Sequence, residues 1–299
     1  MKEKTKGYLL VFLAGCCWGL IGVFTNGLAS LNLDSVSITM MGQFCATVVM
    51  LPVCLIFCER KALKVDKKTL GLLIVLGAVL EACYNLFYVL AIRTIGIAIG
   101  VTLLYTSPIF VLIVSRILFS ELVTKRKIIA VALNVIGCTL AATGGQFDAT
   151  SLCLIGIFYG IMTGVCSAMV TIFGKLTTDR AHPFVVTFYL SLFSFLSLFV
   201  IVLFRGIPAQ CFTGKALFYG MGDGLVSTAI AYILYMSGIS KPINPGTASV
   251  VASVEIVVAS IIGISFFNEQ LSLIKIIGIL IVLLSIIVMS KGETNEIPS

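Results

Sequence analysis

Charged residues are scarce in this 299-residue chain: Asp, Glu, Lys and Arg make up 11% of it, against 59% hydrophobic residues. The mean hydropathy is +1.14. So few polar side chains cannot cover the surface of a soluble domain of this length, which excludes an ordinary soluble protein. The polar breaks between apolar stretches are short, so neither a linker nor a second domain is expected. The sequence therefore predicts one integral membrane domain.

Groups that carry enzyme chemistry are equally scarce. The chain has one histidine, His182, which precedes a proline in a predicted turn and is therefore a poor candidate for a proton relay. There is no Ser-His-acid set and no glycine-rich phosphate loop. The ten cysteines have no paired spacing, so we interpret them as small apolar packing residues. We expect no enzyme activity, no metal and no cofactor.

The chain does have long apolar stretches, each close to the roughly 20 residues that a helix needs to cross a bilayer. The stretches are unbroken and do not alternate between apolar and polar residues, so helices are expected; lipid offers no partner for unpaired backbone groups. Ten predicted spans cover residues 7–28, 36–58, 70–92, 99–119, 127–144, 152–174, 184–204, 215–238, 246–266 and 274–290.

The distribution of positive charge predicts the orientation. Of the 20 Lys and Arg, all except Arg93, Arg205, Lys215 and Lys275 fall on the same side as the N-terminus. The positive-inside rule then places both termini in the cytoplasm, in a multi-pass protein of the plasma (inner) membrane. The net charge of +7 is explained by loops beside an anionic lipid surface, and no basic, aromatic patch for nucleic acid is visible.

The sequence indicates an internal repeat, in which one five-helix unit occurs twice. Phe119-Ser120-Glu121 recurs as Phe267-Asn268-Glu269, an offset of 148 residues. We assign residues 1–145 to the first repeat and 146–299 to the second, and five crossings in each force the second to be inverted. Inverted repeats are typical of transporters. The same offset superimposes Lys127 on Lys275, Tyr84 on Tyr232 and Thr39 on Thr187.

Three carboxylates lie well inside predicted helices: Glu81 in the third, Asp223 in the eighth and Glu255 in the ninth. Each ionised acid at a helix centre costs about 2.5–3.5 kcal/mol of insertion free energy, so each needs a partner, a cavity or a proton. No Lys or Arg occupies a comparable central position. Two interpretations stay open for each acid, a binding or proton-coupling role and a hydrogen-bonded packing role.

Helical spacing groups other polar and aromatic side chains with these acids. Tyr84, Asn85 and Tyr88 share the face of Glu81. The face of Glu255 is otherwise apolar, so its partner must lie on another helix. Each aromatic residue is either a cavity residue or ordinary packing. The candidate substrate-binding residues are Trp18, Glu81, Tyr84, Asn85, Tyr88, Tyr105, Tyr159, Asp223 and Glu255, of which Glu81 and Glu255 are also candidates for proton coupling.

Glu121 and Glu269 each follow a predicted span at the membrane edge, with a Lys six residues later. We expect a structural role for both. Either they cap a helix terminus or they pair with a basic neighbour, for which Arg116 and Lys125 are the candidates at Glu121.

These features together resemble the EamA-like branch of the drug/metabolite transporter superfamily over roughly residues 7 to 290. The resemblance depends on the Trp18-Gly19 pair, on Pro108 followed by Glu121, and on Glu269 in the second copy. The family often has a Glu-Pro pair in helix nine, where this chain has Glu255-Ile256. The resemblance implies ten helices that alternate access around a central cavity formed by helices one, three, four, six, eight and nine.

We expect a secondary active transporter of a small organic solute, with export favoured by the resemblance. Three central acids without a central base favour a cationic or zwitterionic solute, such as an amino acid or amine. A carboxyl group removed from water is easier to protonate, which makes proton coupling our hypothesis. The alternatives are a proton-coupled importer of a small organic cation, a channel, or a lipid-processing enzyme. The sequence leaves monomer and homodimer equally open.

Overall fold

The computed structural model describes residues 2–58, 60–146, 153–267 and 270–293. Within these ranges the chain is helical with connecting turns and contains no strand. Ten helices are long and apolar enough to cross a membrane, as the sequence predicts, and their ends lie within four residues of the predicted spans. They are α1 Glu3–Ala29, α2 Ser35–Phe57, α3 Lys67–Gly96, α4 Ile99–Leu118, α5 Lys125–Thr143, α6 Leu154–Thr178, α7 Pro183–Arg205, α8 Gly214–Ile239, α9 Pro245–Phe267 and α10 Leu273–Lys291.

Polar residues fix where several of the spans begin. Asp34, Asp66, Thr124 and Thr213 precede α2, α3, α5 and α8, and each side chain accepts a hydrogen bond from a backbone N–H in the first turn. Such caps satisfy donors that have no partner inside the helix. The helix starts therefore follow from local sequence as well as from hydropathy.

Ion pairs between loops show which ends of the helices share a face of the bundle. Lys241, after α8, lies 2.7 Å from Glu3 of α1. On the opposite face, Arg205 at the end of α7 lies 3.7 Å from Asp34, before α2. The helices therefore alternate in direction. We call the side that holds Glu3 the N-terminal face.

Two helices contain a π-helical segment, at Val75–Glu81 in α3 and at Asp223–Ile230 in α8. The two segments start 148 residues apart, the offset of the sequence repeat. A π-turn widens the helix locally and displaces the side chains that follow it. Two of the central acids, Glu81 and Asp223, lie at the ends of these segments.

Two helices are also interrupted by a turn at matched positions. In α4 the break falls at Tyr105 and Thr106, just before Pro108, and in α9 it falls at Ser253. Tyr105 and Ser253 are 148 residues apart. The α9 break occurs without a proline. The chain therefore lacks the Glu-Pro pair at Glu255, and its ninth helix is still interrupted there.

Small residues bring α1 against α9. A methyl group added at Gly15 would lie 2.5 Å from the backbone oxygen of Ala252, and one added at Gly19 would lie 2.8 Å from that of Glu255. Only glycine permits such an approach, which is the packing expected of helices in lipid. The contact places Trp18 of α1 next to the broken part of α9.

Candidate substrate site in the centre of the helix bundle

Glu81 is held by hydrogen bonds from neutral side chains. Tyr232 Oη of α8 donates to Glu81 Oε2 at 2.9 Å. Gln43 Nε2 of α2 and Asn85 Nδ2 of α3 each lie 3.4 Å from Glu81 Oε1. The side chain is 3% exposed. The acid is therefore enclosed by three helices, and only a very small species can reach it.

An aromatic cluster continues from Tyr232. The Trp18 ring centroid lies 5.4 Å from that of Tyr232 and 5.0 Å from that of Tyr235, in edge-on and tilted arrangements. The Tyr235 hydroxyl is 2.8 Å from Thr171 Oγ1 of α6. Edge-on aromatic contacts are favourable beyond the area that they bury. The cluster therefore links α1, α6 and α8 to the Glu81 carboxylate.

Glu255 has its partner on another helix, as the sequence predicts. Tyr105 Oη at the break of α4 donates to Glu255 Oε1 at 2.9 Å. Glu255 is the second residue of the helical segment Val254–Phe267 that follows the α9 break, and a helix N-terminus favours negative charge. In contrast to Glu81, the Glu255 side chain is only half-buried. It is the more accessible of the two acids.

Tyr84 and Tyr88 connect the two acids. Their rings are stacked with centroids 6.3 Å apart. Both hydroxyls lie within electrostatic range of the Glu255 carboxylate, and Tyr84 is also within range of Glu81. Acids from the two predicted repeats therefore both lie near Tyr84, and Tyr88 stacks on its ring.

Tyr159 lies at the edge of this group, on α6. Its ring stacks on Phe87 of α3 with centroids 6.1 Å apart, and it also contacts Phe158. These contacts extend the aromatic wall away from the acids.

Asp223 has different neighbours from the other predicted site residues. It is 4% exposed and faces α2, where a methyl group added at Gly42 would lie 2.2 Å from Asp223 Oδ2. Ser227 is within interaction range of its carboxylate. No contact between Asp223 and the tyrosines of the central group is present in the described residues.

A second polar network holds the α9 break in place. Ser253 Oγ donates to Asn134 Oδ1 of α5 at 3.1 Å, and Asn134 Nδ2 lies 3.3 Å from Ser285 Oγ of α10. All three side chains are buried. The network ties the turn before Glu255 to two scaffold helices.

Sequence reasoning missed several residues of these networks: Gln43, Asn134, Thr171, Tyr232, Tyr235, Ser253 and Ser285. Gln43 and Asn134 are amide side chains in apolar helices. A polar residue in such a position itself indicates a hydrogen-bonding or functional role. The sequence identifies Tyr232 only as the repeat of Tyr84, yet Tyr232 donates to Glu81.

Glu121 pairs with a basic neighbour, as the sequence predicts, but neither of the two named candidates, Arg116 and Lys125, is the partner. Glu121 pairs with Lys127 at 3.3 Å, both side chains almost completely buried, and its Oε2 lies 3.4 Å from the backbone nitrogen of Gly246 at the start of α9. Lys125 begins α5 and is exposed, while Arg116 reaches only the Glu121 backbone oxygen. Burial raises the pKa of the Glu121 carboxyl despite the nearby ammonium. Glu269 lies outside the described residues.

Ten membrane-spanning helices with carboxylates at the centre define a multi-pass membrane protein of the transporter class. The model of the EamA-like transporter family matches residues 5–143 and again residues 154–291. The chain therefore belongs to the EamA-like transporter family, as the sequence resemblance implies.

Curated relatives are similar over most of their length. An uncharacterized transporter of Archaeoglobus fulgidus is 27% identical over 94% of this chain and 95% of its own. The uncharacterized transporter YetK of Bacillus subtilis is 26% identical over 82% of this chain and 76% of its own. A solved crystal structure has a TM-score of 0.82 at 14% identity, covering 98% of this chain and 99% of that one, which shows a shared fold.

Proposed function

We propose that this transporter is a secondary active carrier that moves a small organic cation or zwitterion by alternating access. The observation that carries the proposal is that Tyr84 lies within electrostatic range of both Glu81 and Glu255. None of the Lys or Arg side chains in the described residues pairs with either acid. A site with acidic and aromatic groups and no paired base favours positively charged solutes.

Glu255 is the residue assigned to bind the positive group of the solute. It is half-buried, and within the described chain its carboxylate accepts one side-chain hydrogen bond, from Tyr105. The other lone pairs are available to an ammonium group. The faces of Tyr84 and Tyr88 supply cation–π contacts, worth about 0.5–2 kcal/mol each depending on solvation.

Glu81 is the residue assigned to carry the coupling proton. Its enclosure by Gln43, Asn85 and Tyr232 leaves space for a proton and not for an organic solute. Tyr84 lies close to both acids, so the charge on one influences the other through a low-dielectric region. Loss of the proton from Glu81 then favours the state in which a cation is bound near Glu255.

The matched breaks in α4 and α9 are assigned as hinges. Tyr105 and Ser253 lie at these breaks, next to the Glu255 carboxylate. Hinge motions concentrate in a few residues at the ends of helical segments. Rotation at both breaks would open the site to one face of the membrane and then to the other.

We further propose a plasma-membrane location with both termini in the cytoplasm, and export as the physiological direction. The charge distribution of the loops supports the orientation. Import uses the same machinery with the opposite gradient, so the direction is decided by measurement in oriented vesicles.

Transport by the purified protein in liposomes tests this function. Uptake of labelled organic cations, zwitterions and anions is measured with and without an imposed pH gradient. We expect gradient-driven uptake of a cation or zwitterion, and its loss in Glu255→Gln. The matched control is Glu3→Gln, which removes a carboxylate in a surface ion pair.

Two results would contradict the proposal. One is saturable uptake of anions only, which requires a positively charged site. The other is ionic current in planar bilayers far above carrier turnover, which would favour a channel.

A further inference from the structure

A polar cavity of about 300 Å³ is formed by the loop between α2 and α3 and by the turn between α6 and α7. Both segments lie on the N-terminal face, because α2 begins and α7 ends on the opposite face. A water molecule occupies about 30 Å³, so the cavity has room for a larger polar group. Its charged and polar lining residues are Lys64, Asp66, Arg180 and His182.

The surroundings of the cavity are basic. Residues 59–69, which include the loop and the start of α3, contain five Lys and Arg against two acids. None of the ion pairs in the described residues involves Lys64 or Arg180. Asp179, next to Arg180, pairs with Lys175 at 3.2 Å. Two positive charges without an ion-pair partner in the described chain therefore line one cavity.

Asp66 lines the same cavity, but its carboxylate is engaged by the start of α3. It accepts hydrogen bonds from the backbone nitrogens of Lys68 and Thr69, at 3.1 and 3.3 Å, and from the Thr69 hydroxyl. A helix N-terminus stabilises a negative charge of this kind. The Asp66 carboxylate therefore complements the helix end and not the two cations.

His182 adds a hydrogen-bond donor to the lining. Its Nδ1 accepts from the backbone nitrogen of Phe184 at 3.3 Å and lies 3.5 Å from Cys58 Sγ. In a neutral imidazole whose Nδ1 accepts, the proton is on Nε2. The ring therefore carries an N–H donor in a cavity that also contains two cations.

Contacts between helices hold the walls of the cavity in place. Tyr189 Oη of α7 donates to the backbone oxygen of Leu63 at 2.8 Å, next to Lys64. Cys54 Sγ of α2 lies 3.3 Å from the backbone oxygen of Phe184 at the start of α7. The loop and the turn are thus both tied to the helices, so little ordering is needed when a ligand binds.

The cavity lies beside apolar side chains that face lipid. The Phe184 ring centroid is 5.0 Å from that of His182 and 6.3 Å from that of Phe57 at the end of α2. Phe57 is 70% exposed and Ile56 is 74% exposed, on a helix long and apolar enough to cross the membrane. Large apolar side chains exposed on such a helix contact acyl chains. A lipid whose chains lie against Phe57 therefore has its headgroup near His182.

We propose that Lys64, Arg180 and His182 bind a phosphate group, which we assign to the headgroup of an anionic phospholipid. A planar guanidinium group matches two phosphate oxygens at once, and basic pockets between helices recognise lipid headgroups. A soluble phosphate has the same chemistry, but the apolar residues beside the cavity favour the lipid. The site shares no residue with the proposed solute site, so each proposal can fail without the other.

Lipid binding to the purified protein in detergent tests the site. Native mass spectrometry measures the Kd for phosphatidylglycerol and for phosphatidylcholine, and thermal unfolding measures the Tm with each lipid. We expect tighter binding of phosphatidylglycerol and a Tm that rises to saturation with it, because a ligand of the folded state stabilises by mass action. No preference for phosphatidylglycerol and no effect of phosphate would overturn the proposal.

Inorganic phosphate, titrated into lipid-free protein at constant ionic strength, separates the two sources of the phosphate group. We expect little change in Tm, because the free ion lacks the acyl chains that contact Phe57. Saturable stabilisation by inorganic phosphate, without a preference for phosphatidylglycerol, would support the phosphate site and overturn its assignment to lipid.

Two double variants separate a defined site from general attraction between acidic lipid and a basic surface. Lys64→Gln with Arg180→Gln is expected to raise the Kd for phosphatidylglycerol about tenfold or more. The matched control, Lys67→Gln with Lys68→Gln, removes two charges that do not line the cavity, and its Kd should stay within about twofold of the wild type. All four side chains are exposed, so both variants should fold. Equal losses of affinity in the two variants would overturn the site.

Discussion

Tyr105 and Glu255 are 150 residues apart in the chain, and the hydroxyl of the first donates a 2.9 Å hydrogen bond to the carboxylate of the second. The bond joins the breaks of α4 and α9. It orients the more accessible of the two central acids, and it would be strained or broken if the two helices bend independently. It therefore links the proposed solute site to the proposed hinges.

Tyr105→Phe removes this hydrogen bond and keeps the ring. Hydrogen bonds to charged groups contribute about 1.5–3 kcal/mol, so solute affinity should fall roughly 10-fold or more. The Kd is measured by isothermal titration with a transported cation. Tyr189→Phe is the control, because it removes a 2.8 Å bond to the backbone oxygen of Leu63 near the N-terminal face. Equal Kd values for Tyr105→Phe and the wild type would contradict the role of Tyr105.

Glu81→Gln should separate solute binding from proton coupling. The amide fills the same space and still accepts from Tyr232, so the central site stays assembled. We expect exchange of labelled for unlabelled solute to continue, whereas uptake driven by a pH gradient falls at least about tenfold. Both rates are measured in the same liposomes. A variant with full gradient-driven uptake would exclude Glu81 as the proton carrier.

The buried pair of Glu121 and Lys127 should matter for stability. Lys127→Met leaves the carboxylate without its 3.3 Å partner, and removing one member of a buried pair costs about 3–5 kcal/mol. The double variant Glu121→Gln with Lys127→Met should be more stable than Lys127→Met alone. Thermal unfolding of the wild type, Glu121→Gln, Lys127→Met and the double variant forms a double-mutant cycle. Purely additive effects on stability would show that the pair does not interact.

The same pair predicts the sign of a pH effect. The pKa of Glu121 is raised in the folded protein above its ordinary value of 4.5. The folded state then binds the proton more tightly, so this group stabilises the fold at low pH and the contribution is lost as pH rises above 4.5. The Tm of the wild type minus the Tm of Glu121→Gln should therefore decrease as pH rises. A shift in the opposite direction would contradict the raised pKa.

Gly42→Ala tests the contact between α2 and α8. The added methyl group would lie 2.2 Å from Asp223 Oδ2, so the carboxylate must move or the helices must separate, and we expect a cost of about 1–3 kcal/mol. Gly71→Ala is a matched control, since a methyl group there meets nothing within 4 Å and alanine favours the helix. Equal Tm values for the two variants would show that the contact is not tight.

Hydropathy was sufficient to predict the ten helices. Glu255 could also be assigned a partner on another helix, because its own helix face is apolar. The pairing of Glu121 could not be predicted from spacing, since Lys127 reaches it only through the turn between α4 and α5. The sequence interpretation favoured nearer basic residues on neighbouring turns.

The contact of Asp223 with Gly42 of α2 was also beyond sequence reasoning. An ideal α-helix has 3.6 residues per turn, and the π-helical segments at Val75–Glu81 and Asp223–Ile230 depart from that period. Face assignments after such a segment are displaced. Glu81 and Asn85 keep their predicted contact because α-helical geometry resumes at Ala82.

Glu255 is the residue that we propose binds the positive group of a small organic solute. The most direct test of this assignment is a thermal-unfolding panel of wild type, Glu255→Gln and Glu3→Gln against matched cationic, zwitterionic and anionic solutes. We expect a cation or zwitterion to raise the Tm of wild type and Glu3→Gln, and the shift to be lost in Glu255→Gln. Stabilisation by anions alone, or an equal shift in all three proteins, would contradict the assignment.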